Sequence, residues 1–228
     1  MFRAIIFDLD GTLLDTITDL GISANLMLRQ FGYPEHPVEI YRDIVGNGMR
    51  NLVESCMPKG VSDERIDEGL LLFRDSIYPA HFMDTTKPYL GIPELLRYLT
   101  AFEYPMGVCS NKPEPLTRQL VEKIFPDISF VYVAGQKEGV PRKPDPASAL
   151  EVARNIGIPP QEILYVGDSG VDMQTALNAG MTPMGVTWGY RSVQVLEQSG
   201  AVAIANTMAE ILGFLGSGYA AKTDNNNL

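Results

Sequence analysis

The sequence has little of what disulfide-bonded, thiolate-metal or membrane-spanning proteins require. Its 228 residues include two cysteines and two histidines. Cys56 and Cys109 have neither the spacing of a metal site nor that of a redox pair, so we expect buried free thiols in a reducing compartment. The longest apolar runs are far shorter than the ~18 residues that a membrane span needs. A membrane partner is therefore not expected.

Positive charge is also scarce. Eighteen Lys and Arg residues stand against 28 Asp and Glu residues, and the formal net charge is −10. Such a chain lacks the basic face that binds nucleic acid or an anionic membrane surface, so nucleic acid is not expected as a partner either. Residues 1–4 lead straight into a strand pattern without the regions of a signal peptide, which predicts a cytoplasmic location.

What the sequence does contain is an alternation of strand and helix patterns. Compact apolar runs at 4–7, 106–109 and 163–166 each end at a polar residue or turn, as expected for strands buried on both faces of a sheet. Further strands are predicted at 130–134, 183–187 and 201–205, and helices at 116–125, 146–156, 171–178 and after the capping-box pair Thr207 and Glu210. This alternation predicts an α/β fold with a doubly wound parallel sheet.

The alternation is interrupted between residues 16 and 83. Apolar residues recur at helical spacing from 17 to 31, and the segments 38–56 and 62–81 continue as helical patterns. We interpret 16–83 as a helical insert after the first strand, with the chain returning to the sheet through 84–89. The polar, Asn-rich end of the chain is expected to be a flexible tail.

Acidic, hydroxyl and amide side chains collect where the predicted core strands end. They are Asp8 and Asp10, Ser110 and Asn111, and Asp168 and Asp172. Ligands of open parallel sheets bind beyond the carboxyl ends of the strands, so these groups converge if the strands are neighbours. Carboxylates in one crevice repel one another unless a cation neutralises them. Because the ligands are hard oxygens, the sequence predicts Mg²⁺ as that cation.

Four motifs, in this order, resemble those of the haloacid dehalogenase superfamily. They are Asp8-Leu9-Asp10-Gly11-Thr12, Ser110, Lys143-Pro144-Asp145-Pro146, and Gly167-Asp168-Ser169 with Asp172. Segments 45–50, 84–89 and 185–190 resemble the phosphoglycolate phosphatase branch. The resemblance covers nearly the whole chain and implies a Rossmann-like core with an inserted helical cap domain. The expected boundaries are 1–15 and 84–215 for the core, 16–83 for the cap and 216–228 for the tail.

The resemblance implies roles for the acidic residues. Asp8 is expected to attack phosphorus and form an aspartyl-phosphate. Asp10 is expected to protonate the leaving alkoxide and then to activate water. Mg²⁺ is expected to bind the Asp8 and Asp168 side chains and the Asp10 main-chain carbonyl, while Asp172 orients these ligands through water.

The resemblance also implies phosphate and substrate contacts. Lys143 is expected to place a fixed positive charge beside the nucleophile and the phosphate, and Ser110 to donate its hydroxyl to a phosphate oxygen. In the insert, Asn47 and Arg50 are the candidate substrate contacts, with Asn111 on the core side. An arginine there would pair with a substrate carboxylate, and the competing interpretation is a surface arginine on a helix turn.

These residues together predict a Mg²⁺-dependent phosphomonoester hydrolase of a small phosphorylated metabolite, with 2-phosphoglycolate as the expected substrate. Asp10 disfavours dehalogenase chemistry, because dehalogenases carry no acid two residues after the nucleophile. The alternatives are a pyrophosphatase or a broad sugar-phosphate phosphatase, then a β-phosphoglucomutase, and last a non-catalytic binding protein on the same fold. Both a monomer and a homodimer are compatible with the sequence.

Overall fold

A six-stranded parallel sheet lies at the centre of the molecule in the computed structural model, which describes residues 1–223 and the side chains of residues 1–216. The strands are β1 (Ala4–Phe7), β2 (Leu14–Asp15), β3 (Lys87–Pro88), β4 (Met106–Pro113), β5 (Tyr132–Gln136), β6 (Ile163–Gly167), β7 (Thr182–Val186) and β8 (Ala203–Ala205). The order across the sheet is β5-β4-β1-β6-β7-β8, with every pairing parallel. The predicted α/β class with a parallel sheet is confirmed.

Helices flank this sheet and fill the segment between its first two strands in the chain. They are α1 (Ile17–Gln30), α2 (Tyr41–Ile44), α3 (Met49–Cys56), α4 (Asp63–Leu72), α5 (Tyr78–His81), α6 (Ile92–Ala101), α7 (Glu114–Ile124), α8 (Ala147–Ile156), α9 (Gly170–Asn178), α10 (Val193–Gln198) and α11 (Met208–Thr223). Within residues 1–223, none of these helices combines the length and the apolar character needed to cross a bilayer.

The two faces of β1 separate the core into two apolar clusters, because alternate side chains of a strand point in opposite directions. Ile5 and Phe7 belong to the larger cluster, which continues into the helical insert. Ala4 and Ile6 belong to the smaller cluster beneath α8 and α9. All four residues are fully buried, which explains why this strand is a run of apolar residues without polar alternation.

The insert is helical, with interruptions that follow from its glycines and a proline. The helical pattern over 38–56 is divided into α2 and α3, because Gly46 and Gly48 have φ angles of +117° and +87° that a helix does not permit. The pattern over 62–81 widens into a π-helical segment at Phe73–Ile77. Pro79 follows this segment, and a proline can neither donate to nor fit against the carbonyl four residues earlier.

Residues 84–89, through which the chain was expected to return from the insert, do not themselves join the main sheet. Lys87–Pro88 pairs antiparallel with Leu14–Asp15 in a separate two-stranded ribbon. Both positions beside β1 in the main sheet are already taken by β4 and β6, so the returning chain has no place there. The ribbon closes the base of the insert.

Hydrogen bonds fasten the two ends of the insert to each other. The buried carboxylate of Asp19, in the first turn of α1, accepts bonds from the backbone N–H groups and the hydroxyls of Thr85 and Thr86 at 2.6–3.1 Å. At the chain end, α11 reaches Thr223, inside the segment expected to be a tail, and residues 224–228 lie outside the described residues.

Candidate active site

The carboxyl ends of β1, β4 and β6 meet at one edge of the sheet, because β1 pairs in register with both neighbours. A cavity lies between this edge and the helical insert. The core residues that line it include Asp8, Asp10, Ser110, Asn111, Lys112, Lys143, Asp168, Ser169, Tyr190 and Arg191. The topology therefore brings together most of the residues that the sequence singled out.

Lys143 lies at the centre of a buried charge cluster. Its Nζ is 2.9 Å from Oδ1 of Asp8 and 2.6 Å from Oδ1 of Asp172, and it donates to the carbonyl of Cys109 at 3.0 Å. Burial alone would lower the pKa of Lys143, but Asp172 and Asp8 together raise it well above its ordinary value. The ammonium is therefore a permanent positive charge beside the predicted nucleophile.

The loop that carries Lys143 is held by the side chain of Asn111. Oδ1 of Asn111 accepts from the backbone N–H of Lys143 at 2.9 Å, and Nδ2 donates to the Lys143 carbonyl at 3.2 Å. The same Nδ2 also donates to the carbonyl of Gly46 in the insert at 3.0 Å. Asn111, predicted as a substrate contact, thus positions the lysine loop and touches the insert.

Three carboxylates cluster near this ammonium, with Asp8 and Asp168 in the cavity lining and Asp172 buried behind them. Oxygen atoms of Asp8, Asp168 and Asp172 lie within 4.8 Å of one another. Burial raises the pKa of Asp8 well above its usual value, and the charge of Asp172 adds to the effect while Lys143 opposes it. Oδ1 of Asp8 lies close to Lys143 but has no well-aligned hydrogen bond. The excess negative charge and the hard oxygen donors fit a divalent cation such as Mg²⁺.

Asp168 is tightly enclosed by backbone. Its Oδ2 accepts from the N–H of Tyr190 at 2.7 Å, and its Oδ1 lies 3.4 Å from the hydroxyl of Thr12. A Cβ atom at Gly11 would lie 2.3 Å from Oδ2, and one at Gly189 would lie 2.2 Å from the Asp168 Cβ. Only glycine fits at these positions, so the loops around Asp168 have one packing arrangement. Burial, reinforced by Asp172, raises the pKa of Asp168 to about 7.

Asp172 has two functions in the geometry. In the first turn of α9, its Oδ2 accepts from the N–H and hydroxyl of Ser169 at 3.1 and 2.6 Å, which completes a capping box. Its Oδ1 faces Lys143. The capping box of α9 therefore holds the Asp172 carboxylate in place, and this carboxylate in turn holds the Lys143 ammonium.

Asp10 has partners that the sequence analysis did not identify. Lys112 Nζ lies 2.8 and 3.1 Å from its two carboxylate oxygens, and the hydroxyl of Thr16 donates to Oδ1 at 2.7 Å. Lys112 also donates to the hydroxyl of Tyr78, in the insert, at 2.6 Å. The one available signal was that Lys112 directly follows Ser110 and Asn111 at the end of the same strand.

The other predicted substrate contacts lie elsewhere. Arg50 does not line this cavity, and its guanidinium lies 3.3 Å from Asp63 and 3.5 Å from Asp67 on α4. Asn47 lines an adjoining cavity beside α9. From the insert, the residues that do line the catalytic cavity are Leu20, Val45, Gly46, Gly48, Met49, Leu52 and Tyr78.

Arg191 connects the core to the insert from the opposite side. Its guanidinium donates to the carbonyls of Arg42, of Asp43 at 3.2 Å and of Val45 at 2.7 Å, at the C-terminal end of α2. A cation at a helix C-terminus is favoured by the helix dipole. Because Arg191 follows Tyr190, one loop contacts both Asp168 and the insert.

Comparison with known proteins gives a consistent result. Residues 5–186 match the family described as haloacid dehalogenase-like hydrolase. The phosphoglycolate phosphatase of Pseudomonas putida is 32% identical over 215 residues, which are 92% of this chain and 78% of that protein. Phosphoglycolate phosphatase 1 of Pseudomonas aeruginosa is 31% identical over the same shares.

A solved structure has the same architecture. The crystal structure of a protein from Lactobacillus delbrueckii subsp. bulgaricus, provisionally called a phosphoglycolate phosphatase, superposes with a TM-score of 0.87 at 32% identity. The match covers 94% of this chain and 98% of the other chain. The similarity therefore includes the helical insert as well as the sheet.

Proposed function

Because the chain belongs to the haloacid dehalogenase-like hydrolases, we propose that it is a Mg²⁺-dependent phosphatase of small phosphorylated metabolites and that 2-phosphoglycolate is its substrate. The observation that carries this proposal is the cluster of Asp8, Lys143, Asp168 and Asp172 at the end of the central strands. Two relatives named phosphoglycolate phosphatase match most of the chain, and this similarity supports the choice of substrate.

In this proposal, the side chains of Asp8 and Asp168 and the carbonyl of Asp10 hold Mg²⁺, with Asp172 beside them. The bound ion would supply positive charge to the phosphoryl oxygens. Lys143 adds a second positive charge at the nucleophile, and Ser110 donates its hydroxyl to the phosphate. Because phosphoryl transfer depends mainly on positioning and on charge stabilisation, this arrangement suits it.

The reaction then has two displacements at phosphorus. A carboxylate oxygen of Asp8 bonds to phosphorus while the ester P–O bond breaks, and the leaving oxygen takes a proton from Asp10. Water next loses a proton to Asp10 and attacks phosphorus. The bond between Asp8 and phosphorus breaks, which releases inorganic phosphate and restores both carboxyl groups.

The helical insert acts in this proposal as a cap over a core of residues 1–15 and 84–215. Its cavity side is largely apolar, so closure over the substrate would exclude bulk water. A cytoplasmic location fits this function, since Cys56 and Cys109 are both free and buried.

The test is phosphate release with and without Mg²⁺ from 2-phosphoglycolate, pyrophosphate and sugar phosphates, with Asp8→Asn as the control. A preference for 2-phosphoglycolate by orders of magnitude in kcat/KM supports the proposal in full. Comparable rates on all esters would support phosphatase activity but reject 2-phosphoglycolate as the specific substrate. If neither wild type nor Asp8→Asn released phosphate from any ester, the catalytic function would be rejected and a binding protein favoured.

A further inference from the structure

The charge of Lys112 lies on the leaving-group side of the cavity. Its side chain is 2% exposed, and its ammonium contacts both oxygens of Asp10 and the hydroxyl of Tyr78. Burial alone would lower the pKa of Lys112, but Asp10 and Tyr78 raise it above its ordinary value. Lys112 is therefore a buried permanent cation next to the group proposed to face the ester oxygen.

Few other cations line this cavity. Among the residues described, Lys143 and Arg191 are the remaining lysine and arginine in its lining. Lys143 is engaged by Asp8 and Asp172 at the nucleophile, and Arg191 donates to backbone carbonyls of the insert. Arg50, the cation that the sequence suggested for a substrate carboxylate, lies outside the cavity.

Tyr78 offers a donor at the same place. Its hydroxyl accepts from Lys112, so its own proton must point elsewhere, and no acceptor for it occurs among the described residues. The ring is fixed by stacking on Phe73, with the ring centroids 5.3 Å apart. Burial raises the pKa of Tyr78 to about 12, so the hydroxyl keeps its proton at neutral pH. A fully buried hydroxyl that faces a cavity and donates to no described residue is available to a ligand acceptor.

We propose that Lys112 and Tyr78 form the subsite for an anionic group on the carbon next to the ester oxygen, and that Lys112 is the residue that determines this specificity. The inference rests on the proposed phosphatase function and names the class of ester. In 2-phosphoglycolate, one carbon separates the carboxylate from the ester oxygen that Asp10 is proposed to protonate. Because Lys112 is 2.8 Å from Asp10, such a carboxylate falls within reach of both Lys112 and Tyr78.

The proposed subsite also explains why Lys112 and Asp10 form an ion pair. Without a substrate, Asp10 is the counter-ion of the buried ammonium. A substrate carboxylate replaces Asp10 in that contact, and the released Asp10 can take up a proton from water and turn to the ester oxygen. A neutral ester of the same size has no charge with which to make this exchange, so it is the poorer substrate.

The experiment compares 2-phosphoglycolate with 2-hydroxyethyl phosphate, in which CH₂OH replaces the carboxylate. In wild type, kcat/KM is expected to favour 2-phosphoglycolate. Lys112→Met, which keeps the length and removes the charge, should lower this preference roughly 10- to 150-fold, the value of a hydrogen bond to a charged group. Tyr78→Phe keeps the stacked ring and should lower it about threefold to tenfold. Loss of the Asp10 partner changes the ratio in the same direction, because without Lys112 a substrate carboxylate is no longer needed to free Asp10.

A binding measurement provides a readout independent of turnover. 3-Phosphonopropionate carries CH₂ in place of the ester oxygen and cannot be hydrolysed, and propylphosphonate is its counterpart without the carboxylate. Calorimetry should show tighter binding of 3-phosphonopropionate to wild type, with most of the difference lost in Lys112→Met. Arg50→Ala is the matched control, and it should keep the wild-type preference within about twofold because Arg50 lies outside the cavity.

Three outcomes would overturn the inference. The preference for the carboxylate could survive in Lys112→Met, it could collapse in Arg50→Ala instead, or wild type could hydrolyse both esters equally. If Lys112→Met does not fold, an unchanged preference in Tyr78→Phe would count against the subsite in the same way. Failure of wild type to hydrolyse any ester would instead reject the proposed function, so the two failures are distinguishable.

Discussion

The two walls of the catalytic cavity differ in composition. The core wall, formed by the ends of β1, β4 and β6 and their loops, carries Asp8, Asp168, Asp172 and Lys143, and each is buried and contacts another charged or polar group. The cap wall, formed by α1, α3, α5 and the loop before α3, is apolar apart from Tyr78 and backbone. In the proposed mechanism, the core wall therefore supplies the charged groups, and the cap wall supplies shape and water exclusion.

Polar contacts join the two walls. They include the bonds from Lys112 to Tyr78, from Asn111 to the carbonyl of Gly46, and from Arg191 to the carbonyls at the C-terminal end of α2. Each starts from a core residue next to a catalytic group. The position of the cap is thus linked to the charged groups of the core, and substitutions on the two walls should have different effects.

The largest effect is expected for Asp8→Asn on the core wall. Loss of the nucleophile should reduce hydrolysis of every ester by roughly 10⁴-fold or more, the scale seen when a nucleophile is removed. The metal-free variant should unfold at the same temperature as wild type or higher, because burial and Asp172 already disfavour the Asp8 carboxylate. Steady-state kinetics and thermal unfolding check this, and substantial residual turnover would show that another group attacks phosphorus.

A comparison of Lys143 with Lys112 tests whether one lysine supports catalysis on all esters and the other determines substrate specificity. Lys143→Met should reduce kcat/KM by about 10²- to 10³-fold on all esters, the cost of losing one electrostatic group at the reacting centre. The ratio between carboxylate-bearing and neutral esters should remain that of wild type. A change of ratio in Lys143→Met would mean that the two lysines do not have separate tasks.

Metal binding is expected to depend on pH. Without metal, burial and Asp172 raise the pKa of Asp168 to about 7, so Asp168 holds a proton in the folded state between about pH 4 and 7 that the unfolded chain lacks. This proton favours folding at acid pH, and the contribution is lost as the pH rises through about 7. Because Mg²⁺ must displace this proton, and burial also raises the pKa of the second proposed ligand Asp8, the Kd for Mg²⁺ should rise by about tenfold or more per pH unit below pH 7.

Calorimetric titration of Mg²⁺ between pH 5.5 and 8 measures this linkage, and buffers of different ionisation enthalpy would count the protons released. Asp168→Asn supplies the control, since it has no proton to lose at this position. A Kd that is constant over this range would contradict the assignment of Asp168 as a ligand.

On the cap wall, Leu52→Ala should alter substrate choice more than chemistry. Leu52 is 3% exposed, so truncation should reduce the free energy of unfolding by about 2–5 kcal/mol. The enlarged cavity should lower kcat/KM for 2-phosphoglycolate by less than about tenfold and raise the relative rate on bulkier sugar phosphates. Denaturant unfolding and a substrate panel check both parts. An equal loss of kcat/KM on all esters would show instead that Leu52 helps to position the residues of the core wall.

The smallest effect is expected for Arg50→Ala. The ion pairs of Arg50 with Asp63 and Asp67 are solvent-exposed, and such pairs contribute about 0–1 kcal/mol. KM for 2-phosphoglycolate should change by less than about twofold. An increase in KM of tenfold or more would show that Arg50 turns into the cavity when substrate binds.

The sequence predicted the positions on the core wall because strand ends are local features. A buried apolar run followed by Asp8, and another followed by Asp168, locate these residues without knowledge of distant contacts. Adjacent parallel strands then bring them together. The charge balance of Asp8 and Asp172 around Lys143 follows from the same placement.

The contacts between the walls could not be predicted in this way. Tyr78 meets Lys112 only because the insert packs onto the core, and no periodicity in the sequence encodes that docking. Arg50 was expected in the site, yet α3 turns Leu52 and Val53 inward and leaves Arg50 facing α4. The pattern of 84–89 also gave no sign that this segment pairs with 14–15 in a separate ribbon, because that pairing joins residues distant in the chain.

In the proposed mechanism, Asp8 becomes phosphorylated during turnover. The most direct measurement is to mix the protein with Mg²⁺ and 2-phosphoglycolate, quench in acid within the first turnovers, reduce the acyl phosphate with borohydride and map the product by mass spectrometry. Homoserine is expected at position 8, in wild type only and at a level that rises before steady phosphate release. Phosphate release without modification of Asp8, or with modification at another carboxylate, would contradict this mechanism.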